Sequence, residues 1–420
     1  MALINSQTLA VQLELTRSAV PQLFGLPDSD FSMIEKRPVE IVSSRTARLP
    51  LKSNPGGNSG SANPDGGDLG RGSAPEYDFA QITPIYMKHA VEITKQVEYS
   101  TNSAKKSVLD VTKTSVIDGM KTFRRDIDTW LQTAGNGVMA TTTSGLTGAV
   151  APVFSNTPFG ARLLRKNLTV SIYSSTLATK RGEATIDSKP VFGLGRTQSA
   201  TIDANPGTAV DGDVFLPSGL TGASPVWLYG IPYHHNTAIT GSWLGISRGL
   251  DYVVANGVNA GAPFSLPPFR LAINQIIQEM GSEDLGNLVW HCHDAGLAGY
   301  EEYGLSLSNI DRSGNNQGLP DLLYDMKKTP QIGGYPVRRS RHADPTRFDL
   351  MNLSTWGRVE SKEIDFFDID GRTVFELRGD SGGVAAAYIF YFICGMQFFV
   401  DNPKAISSVT NVTLPTSYTP

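Results

Sequence analysis

Charge is scarce in this chain. Only 18% of its 420 residues are Asp, Glu, Lys or Arg, against about 25% in an average soluble domain. The 36 basic and 40 acidic residues leave a net charge of −4, which excludes a wholesale basic nucleic-acid binder. Cysteine is nearly absent: Cys292 and Cys394 are the only two, so no disulfide framework is indicated and a reducing compartment fits. The opening MALINSQTLAVQLELTRSAV has no basic segment leading into an apolar core, so it is not read as a secretory signal. The sequons at Asn167, Asn352 and Asn411 then carry no meaning. No glycine loop ending in Lys-Ser or Lys-Thr offers a phosphate cradle. One long apolar run exists, Val384 to Val400, but Gly395 and Gln397 interrupt it. Its 17 residues sit at the lower limit for a membrane helix. Aromatic and β-branched content predicts one or two buried strands there, and no membrane is expected. Apolar residues are not lacking: with its 42 glycines added, the 40% hydrophobic fraction reaches about half the chain. A sizeable core is available, and global disorder is excluded.

What is present reads segment by segment. In residues 1–37, Ala10, Leu13, Val20 and Phe24 recur at near-helical spacing, which predicts a short amphipathic helix docked on another surface. VEIVSSRTARLPL is extended. From Asn54 to Pro75, ten of 22 residues are Gly or Pro, so that stretch can bury almost nothing. Beyond it Tyr77, Phe79, Ile85, Met87, Val91 and Ile93 alternate with a period of two. Together these predict one very long hairpin with a floppy tip, which needs another surface to lie on.

The clearest helix follows. Asn102 or Ser103 can cap it, and Gly135-Asn136-Gly137 stops it. Leu109, Val116, Phe123 and Trp130 repeat every seven residues, with Met120, Ile127 and Ala134 in the second seam. The seam is too short for a coiled coil and predicts a rod of roughly 45 Å lying across a sheet. LTVSIYSS, EATID, DVFLP and PVWLYG read as short strands, and PPFRLAINQIIQEMG as a helix with Pro267 first and Gly281 last. NLVWHC is a buried strand and HDAGLAGYEEYG a short helix. GGYPVRRS, DLMNLS, GRVESKEIDFF and TVFELRG are further strands. The fold class is α+β.

Three constellations invite chemistry. Arg378-Gly379-Asp380-Ser381-Gly382-Gly383 resembles the nucleophile segment of chymotrypsin-like proteases, and Trp290-His291-Cys292 their histidine segment. His291 precedes Ser381 by only 90 residues, and a long helix has no place in two barrels, so a turn is the better reading. A Ser381-dependent hydrolase is the remote alternative. His291, Cys292, His293 and Asp294 suggest a metal, yet His291 and His293 would share a strand face without Cys292, and no second ligand cluster accompanies them. Asp65 and Asp68 lack the oxygen spacing of a calcium loop. No metal, cofactor or catalytic residue is therefore expected. Arg338, Arg339, Arg341, His342 and Arg347 form the densest basic cluster. Strand alternation would put Arg339 and Arg341 on one face and Arg338 on the other, which suits ion pairs across a subunit contact at least as well as phosphate binding.

The order of these parts carries a resemblance. A short arm leads into a long hairpin with a PDGGDLGRG tip, then a spine helix. A mixed domain with NLVWHC follows, then GGYPV, TRFDLMNLSTWGRVES and the closing VFELRGDSGGVAAAYIFYF. This resembles the major capsid protein of tailed bacteriophages, with the Hong Kong 97-like fold shared by encapsulins. INSQTLAVQLE and EKRPVEIVSSR look like one branch of the phage proteins. The resemblance implies an N-arm at 1–37, an extended loop at 38–98 overlapping a neighbouring subunit, and a peripheral domain with its spine helix at 99–165. It further implies an axial domain at 166–344, with an exposed insertion near 190–245, and a return to the peripheral domain at 345–420. The implied role is a non-enzymatic head protein of the virion, forming pentamers and hexamers of an icosahedral shell around double-stranded DNA. An encapsulin shell is the alternative. Portal and decoration proteins are implied partners. With the hairpin starting near residue 38, a separate scaffolding protein is expected. No Lys lies between Lys52 and Lys88, so the covalent welding of some relatives is not expected at the tip. The implied inter-subunit contacts are Arg45, Arg48, Asp65, Asp68, Arg71, Tyr77 and Phe79 on the loop, with Arg338, Arg339 and Arg341.

Overall fold

The computed structural model describes residues 30–38, 41–43, 46–60, 71–94, 105–154, 159–188, 190–192, 198–249, 253–281, 285–310, 330–378, 384–415 and 418. Most of the expected N-arm, the capping candidates Asn102 and Ser103, and Ser381 lie outside these residues. A short helix α1 (Asp30–Met33) comes first. The pair β1 (Thr46–Asn54) and β2 (Glu76–Ile82) follows, then β3 (Ile85–Thr94) and the long helix α2 (Lys105–Trp130). Next come β4 (Thr169–Tyr173), β5 (Lys180–Thr185) and β6 (Val214–Pro217). After them the chain runs through β7 (Asn256–Asn259), α3 (Leu266–Met280), β8 (Leu288–Cys292) and α4 (Asp294–Ile310). The closing strands are β9 (Tyr335–Arg339), β10 (Phe348–Asn352), β11 (Trp356–Phe366), β12 (Val374–Arg378), β13 (Val384–Val400) and β14 (Ser407–Thr410).

The helix α2 lies across a sheet, as its seam predicts. Phe123 and Ile127 are fully buried, and His89 of β3 stacks on Phe123 at 5.9 Å. Gly119 lets the rod approach closely, since a Cβ there would sit 2.8 Å from Val91 Cγ2 and 3.0 Å from the Phe392 ring. The sheet beneath is centred on the apolar run, which forms one 17-residue strand. β13 pairs with β3 along one edge and with β11 and β12 along the other. Both of its edges are thus hydrogen-bonded within the protein. Among the described residues no helix is long and apolar enough to cross a membrane.

The hairpin departs from expectation. Only β1 and β2 form it, with Arg48 opposite Gln81, Pro50 opposite Phe79 and Lys52 opposite Tyr77. At Thr83-Pro84 the chain leaves and β3 joins β13, with Tyr86 opposite Gly395. Pro84 has no N–H to continue the ladder. The buried face also changes there: Ala80 and Ile82 are buried in β2, but Met87 and Ile93 in β3. The single period of two from Tyr77 to Ile93 is thus two strands of opposite phase. The hairpin's underside, Ala47, Leu49, Leu51, Ala80 and Ile82, rests on Trp243, Leu244, Ile246 and Phe399, and the Gln81 amide donates to the Leu244 carbonyl at 2.8 Å.

PVWLYG is not a strand. The Trp227 amide within it and the Ile231 amide just after it donate instead to the end of the spine, to Gly135 O and Leu131 O, both at 2.8 Å. Trp227 packs edge-on against Trp130 at 5.2 Å. These contacts satisfy carbonyls that any helix end leaves open. The regular helix stops at Trp130, four residues short of the expected Ala134. Buried Gln397 completes the joint: its Oε1 accepts from the Tyr229 amide at 2.8 Å, and its Nε2 donates to Trp227 O at 3.4 Å. Gln397→Leu should cost about 2–3 kcal/mol by stranding these groups, read as a lower thermal midpoint than wild type. Phe215, Trp227, Leu228 and Ile231 share one core with α2. Within the stretch 190–245, where an exposed insertion was expected, these four residues are part of the core.

The second sheet runs in the order β7, β14, β10, β8, β9 and Gln331–Ile332. α3 covers it through Phe269, Ala272, Ile273 and Ile276. Leu266, not Pro267, is its first residue, and Gly281 closes it at φ +76°. α4 is longer than the short helix expected. β10 and β14 carry the sheet across the expected boundary at 344/345.

Candidate assembly surfaces

Register places Arg48, Pro50, Lys52, Tyr77, Phe79 and Gln81 on the hairpin face turned away from the protein, all of them exposed. Tyr77 is 63% and Phe79 55% exposed, where buried aromatics of this size would each remove 150–250 Å² from water. Arg71 is exposed as well. Arg45, Asp65 and Asp68 lie outside the described residues. The face therefore presents two uncovered rings between two cations.

The arginine cluster is split differently from strand alternation. Arg339 is half-exposed and 3.8 Å from Glu301 on α4. β9 ends there, the Ser340 amide bonds to Cys292 O, and the chain turns. Arg341 therefore does not share a face with Arg339. Its Nε lies 3.2 Å from His342 Nε2, and its charge is felt by Arg125 on the spine. Arg338 lies within electrostatic range of Asp30. Arg347 bonds Asp349 at 2.6 Å.

A clasp at residues 30–37 had no signal in the sequence. Asp30 Oδ2 lies 3.1 Å from His291 Nε2 and accepts from Gln132 Nε2 at 3.2 Å, all three buried. Burial opposes ionisation of Asp30, but His291, with Ser340 and Arg338, holds its carboxyl below the usual range. The Phe31 amide donates to Asp128 at 2.8 Å. Arg358 donates to the carbonyls of Phe31 (3.0 Å) and Ile34 (2.7 Å) and sits 4.3 Å over the Phe31 ring. Arg37 bonds Asp401. One segment thus ties the spine, both sheets and the end of the arm together.

The residues that suggested a metal are spent elsewhere. His291 engages Asp30, His293 Nδ1 accepts from the Ala295 amide and stacks on Phe159, and burial pushes the Cys292 thiol up. Among the described residues no group of three or more His, Cys, Asp or Glu could hold a metal.

A body of several sheets, with a rod across one of them and a hairpin lying on the body, is matched among solved structures. A chain of the cyanophage A-1(L) capsid asymmetric unit superposes with a TM-score of 0.52 at 13% identity, over 97% of this chain and 100% of that one. The chain has the Hong Kong 97-like fold. At this identity the likeness is one of fold. The bacteriophage PhiM1 mature capsid gives 0.47 at 10% identity, covering 96% and 92%. The SrpI encapsulin of Synechococcus elongatus gives 0.45 at 10%, covering 100% and 99%. No family model and no curated protein matches the sequence.

Proposed function

We propose that the chain is the major head protein of a tailed bacteriophage, assembling as pentamers and hexamers into an icosahedral virion shell around double-stranded DNA. The observation that carries this reading is the capsid fold bearing a hairpin whose outer face leaves Tyr77 and Phe79 uncovered. In a shell those rings would lie on the next subunit, and symmetry would multiply one modest contact many times. In this reading residues 1–37 are the N-arm, 38–98 the extended loop, and 99–165 with 345–420 the peripheral domain. The axial domain is 166–344, joined by the sheet strands β10 and β14. Arg45, Arg48, Asp65, Asp68 and Arg71, with Arg338, Arg339 and Arg341, are assigned to inter-subunit contacts. A separate scaffolding protein, a portal and a decoration protein are the proposed partners. No catalysis is assigned: His291 serves Asp30, and Ser381 lies outside the described residues.

Electron microscopy of the purified protein tests this. Homogeneous shells or hexameric capsomers are expected, and a monodisperse monomer overturns the reading. Shells that package a protein cargo instead of DNA would favour an encapsulin. Labelling of Ser381 by a fluorophosphonate would revive a hydrolase.

A further inference from the structure

A chain of net charge −4 gathers cations at one place. On the second half of α2, Lys121 and Arg125 are one turn apart and Arg124 lies beside them. Arg165 reaches the same spot from the turn before β4, donating to both oxygens of Asp126 at 2.9 and 2.7 Å. Lys166 follows it in sequence, and Arg341 approaches from the turn after β9. Arg124 and Lys166 are exposed and Lys121 is half-buried. Three separate segments thus bring six cations together.

The carboxylates do not balance them. Asp126 is taken by Arg165, with Arg125 at 3.8 Å and His89 at 3.9 Å. Asp118 lies a turn before Lys121 on the helix. Asp128 lies a turn beyond Arg124, where it also accepts from the Phe31 amide, so six cations face three acids of the helix. The crowding has a physical trace: burial, then the neighbouring Arg165, lower the Arg125 guanidinium to about 10 against the pull of Asp126, with Arg341 adding to the lowering. Such a cluster is stabilised by a polyanion laid along it.

We infer that Lys121, Arg124 and Lys166, backed by Arg125, Arg165 and Arg341, form a contact surface for the phosphate backbone of double-stranded DNA. The inference rests on the reading of this chain as a DNA-filled shell and adds the surface that would meet the DNA. Duplex DNA carries one charge per about 1.7 Å of axis, so a patch of this width meets a few phosphates per subunit. The contact is weak and blind to sequence, as a container that must release its genome requires. Arg125 and Arg165 are occupied by Asp126 and hold the patch in place. Exposed Arg124 and Lys166, with half-buried Lys121, make the contact.

The test is salt-dependent binding of a fluorescent 30-base-pair duplex to the full-length protein in the oligomeric form in which it purifies. The triple variant Lys121→Gln, Arg124→Gln, Lys166→Gln should flatten the slope of log affinity against log salt by about 2.7, or about 0.9 per lost phosphate contact. Affinity at 0.1 M salt should fall at least about tenfold. A control of equal charge change at exposed remote sites, Arg270→Gln, Lys362→Gln, Arg372→Gln, should leave the slope unchanged. Equal losses in both variants would mean a net-charge effect only and overturn the surface, as would an unchanged slope in the first. Binding of polyglutamate with no binding of the duplex also overturns it, by making the partner an acidic protein. Failure of the underlying reading looks different, because wild type would then form no shells or capsomers by electron microscopy.

Discussion

Replacing Tyr77 and Phe79 together by threonine should raise the protein concentration needed for assembly more than a hundredfold, by about 3 kcal/mol per contact. Threonine keeps the strand propensity of both positions, so the hairpin itself should persist. The two rings make no core in the subunit, being 63% and 55% exposed, and exposed substitutions away from packed features typically stay within about 0.5 kcal/mol. Thermal unfolding of the unassembled protein should therefore match wild type, while sedimentation and electron microscopy lose the shells. Removing residues 56–73 should act in the same direction. The ends of that segment are already joined, with the Gly57 amide donating to Ser73 O at 2.8 Å. Assembly of either variant at the wild-type concentration would remove the hairpin from the interface.

Which parts of this molecule could be read from its residues follows from the range of the forces that shape them. The spine was legible because its seam, Val116, Phe123 and Trp130 with Met120 and Ile127, is a local pattern imposed by one flat partner. Its end was not, because Leu131 and Gly135 give their carbonyls to Ile231 and Trp227, about a hundred residues away. The hairpin break carried a local sign in Pro84, but alternation ran on through it and hid the change of phase. PVWLYG has the apolar content of a strand, and only the Gln397 side chain and the helix end show why it forms none.

The surfaces were harder still. An aromatic pair on a strand resembles core, and Tyr77 and Phe79 are marked as outward only by Ala80 and Ile82, which face the protein. Asp30 and His291 are 261 residues apart, and nothing near either foretells the other. The basic patch comes from three segments, of which only the one holding Arg341 reads as a basic cluster in the sequence, while Arg124 reads there as an ion-pair partner of Asp128.

Acid should unfold this protein through its histidines. Burial first of all depresses His89, His235 and His293 to about 4, and His234 and His342 to about 3, against an ordinary 6.5. His234 shows the structural reason. Its Nδ1 accepts from the Trp243 indole at 3.2 Å, so its proton sits on Nε2, 3.3 Å from the Phe398 carbonyl. A second proton would aim N–H at N–H. Asp126 beside His89 and Asp349 beside His235 pull the other way but do not offset burial. In the unfolded chain all five take up protons near pH 6.5. Stability from keeping them neutral is thus fully present above about pH 6.5 and falls with pH until the folded forms titrate at 3 to 4. Each histidine then gives a slope of about 1.4 kcal/mol per pH unit. Five together would remove several kcal/mol per unit, against a typical total of 5–15 kcal/mol. Urea unfolding at pH 5.5, followed with an indicator dye in weak buffer, should take up about four more protons than at pH 8. His89→Gln should reduce that uptake by about one, because its ring stacks on Phe123 without being part of the Trp243 linkage. Uptake below about one proton in the wild type would mean that these imidazoles are already charged in the fold, and the acid lability would then have to come from carboxylates below pH 4.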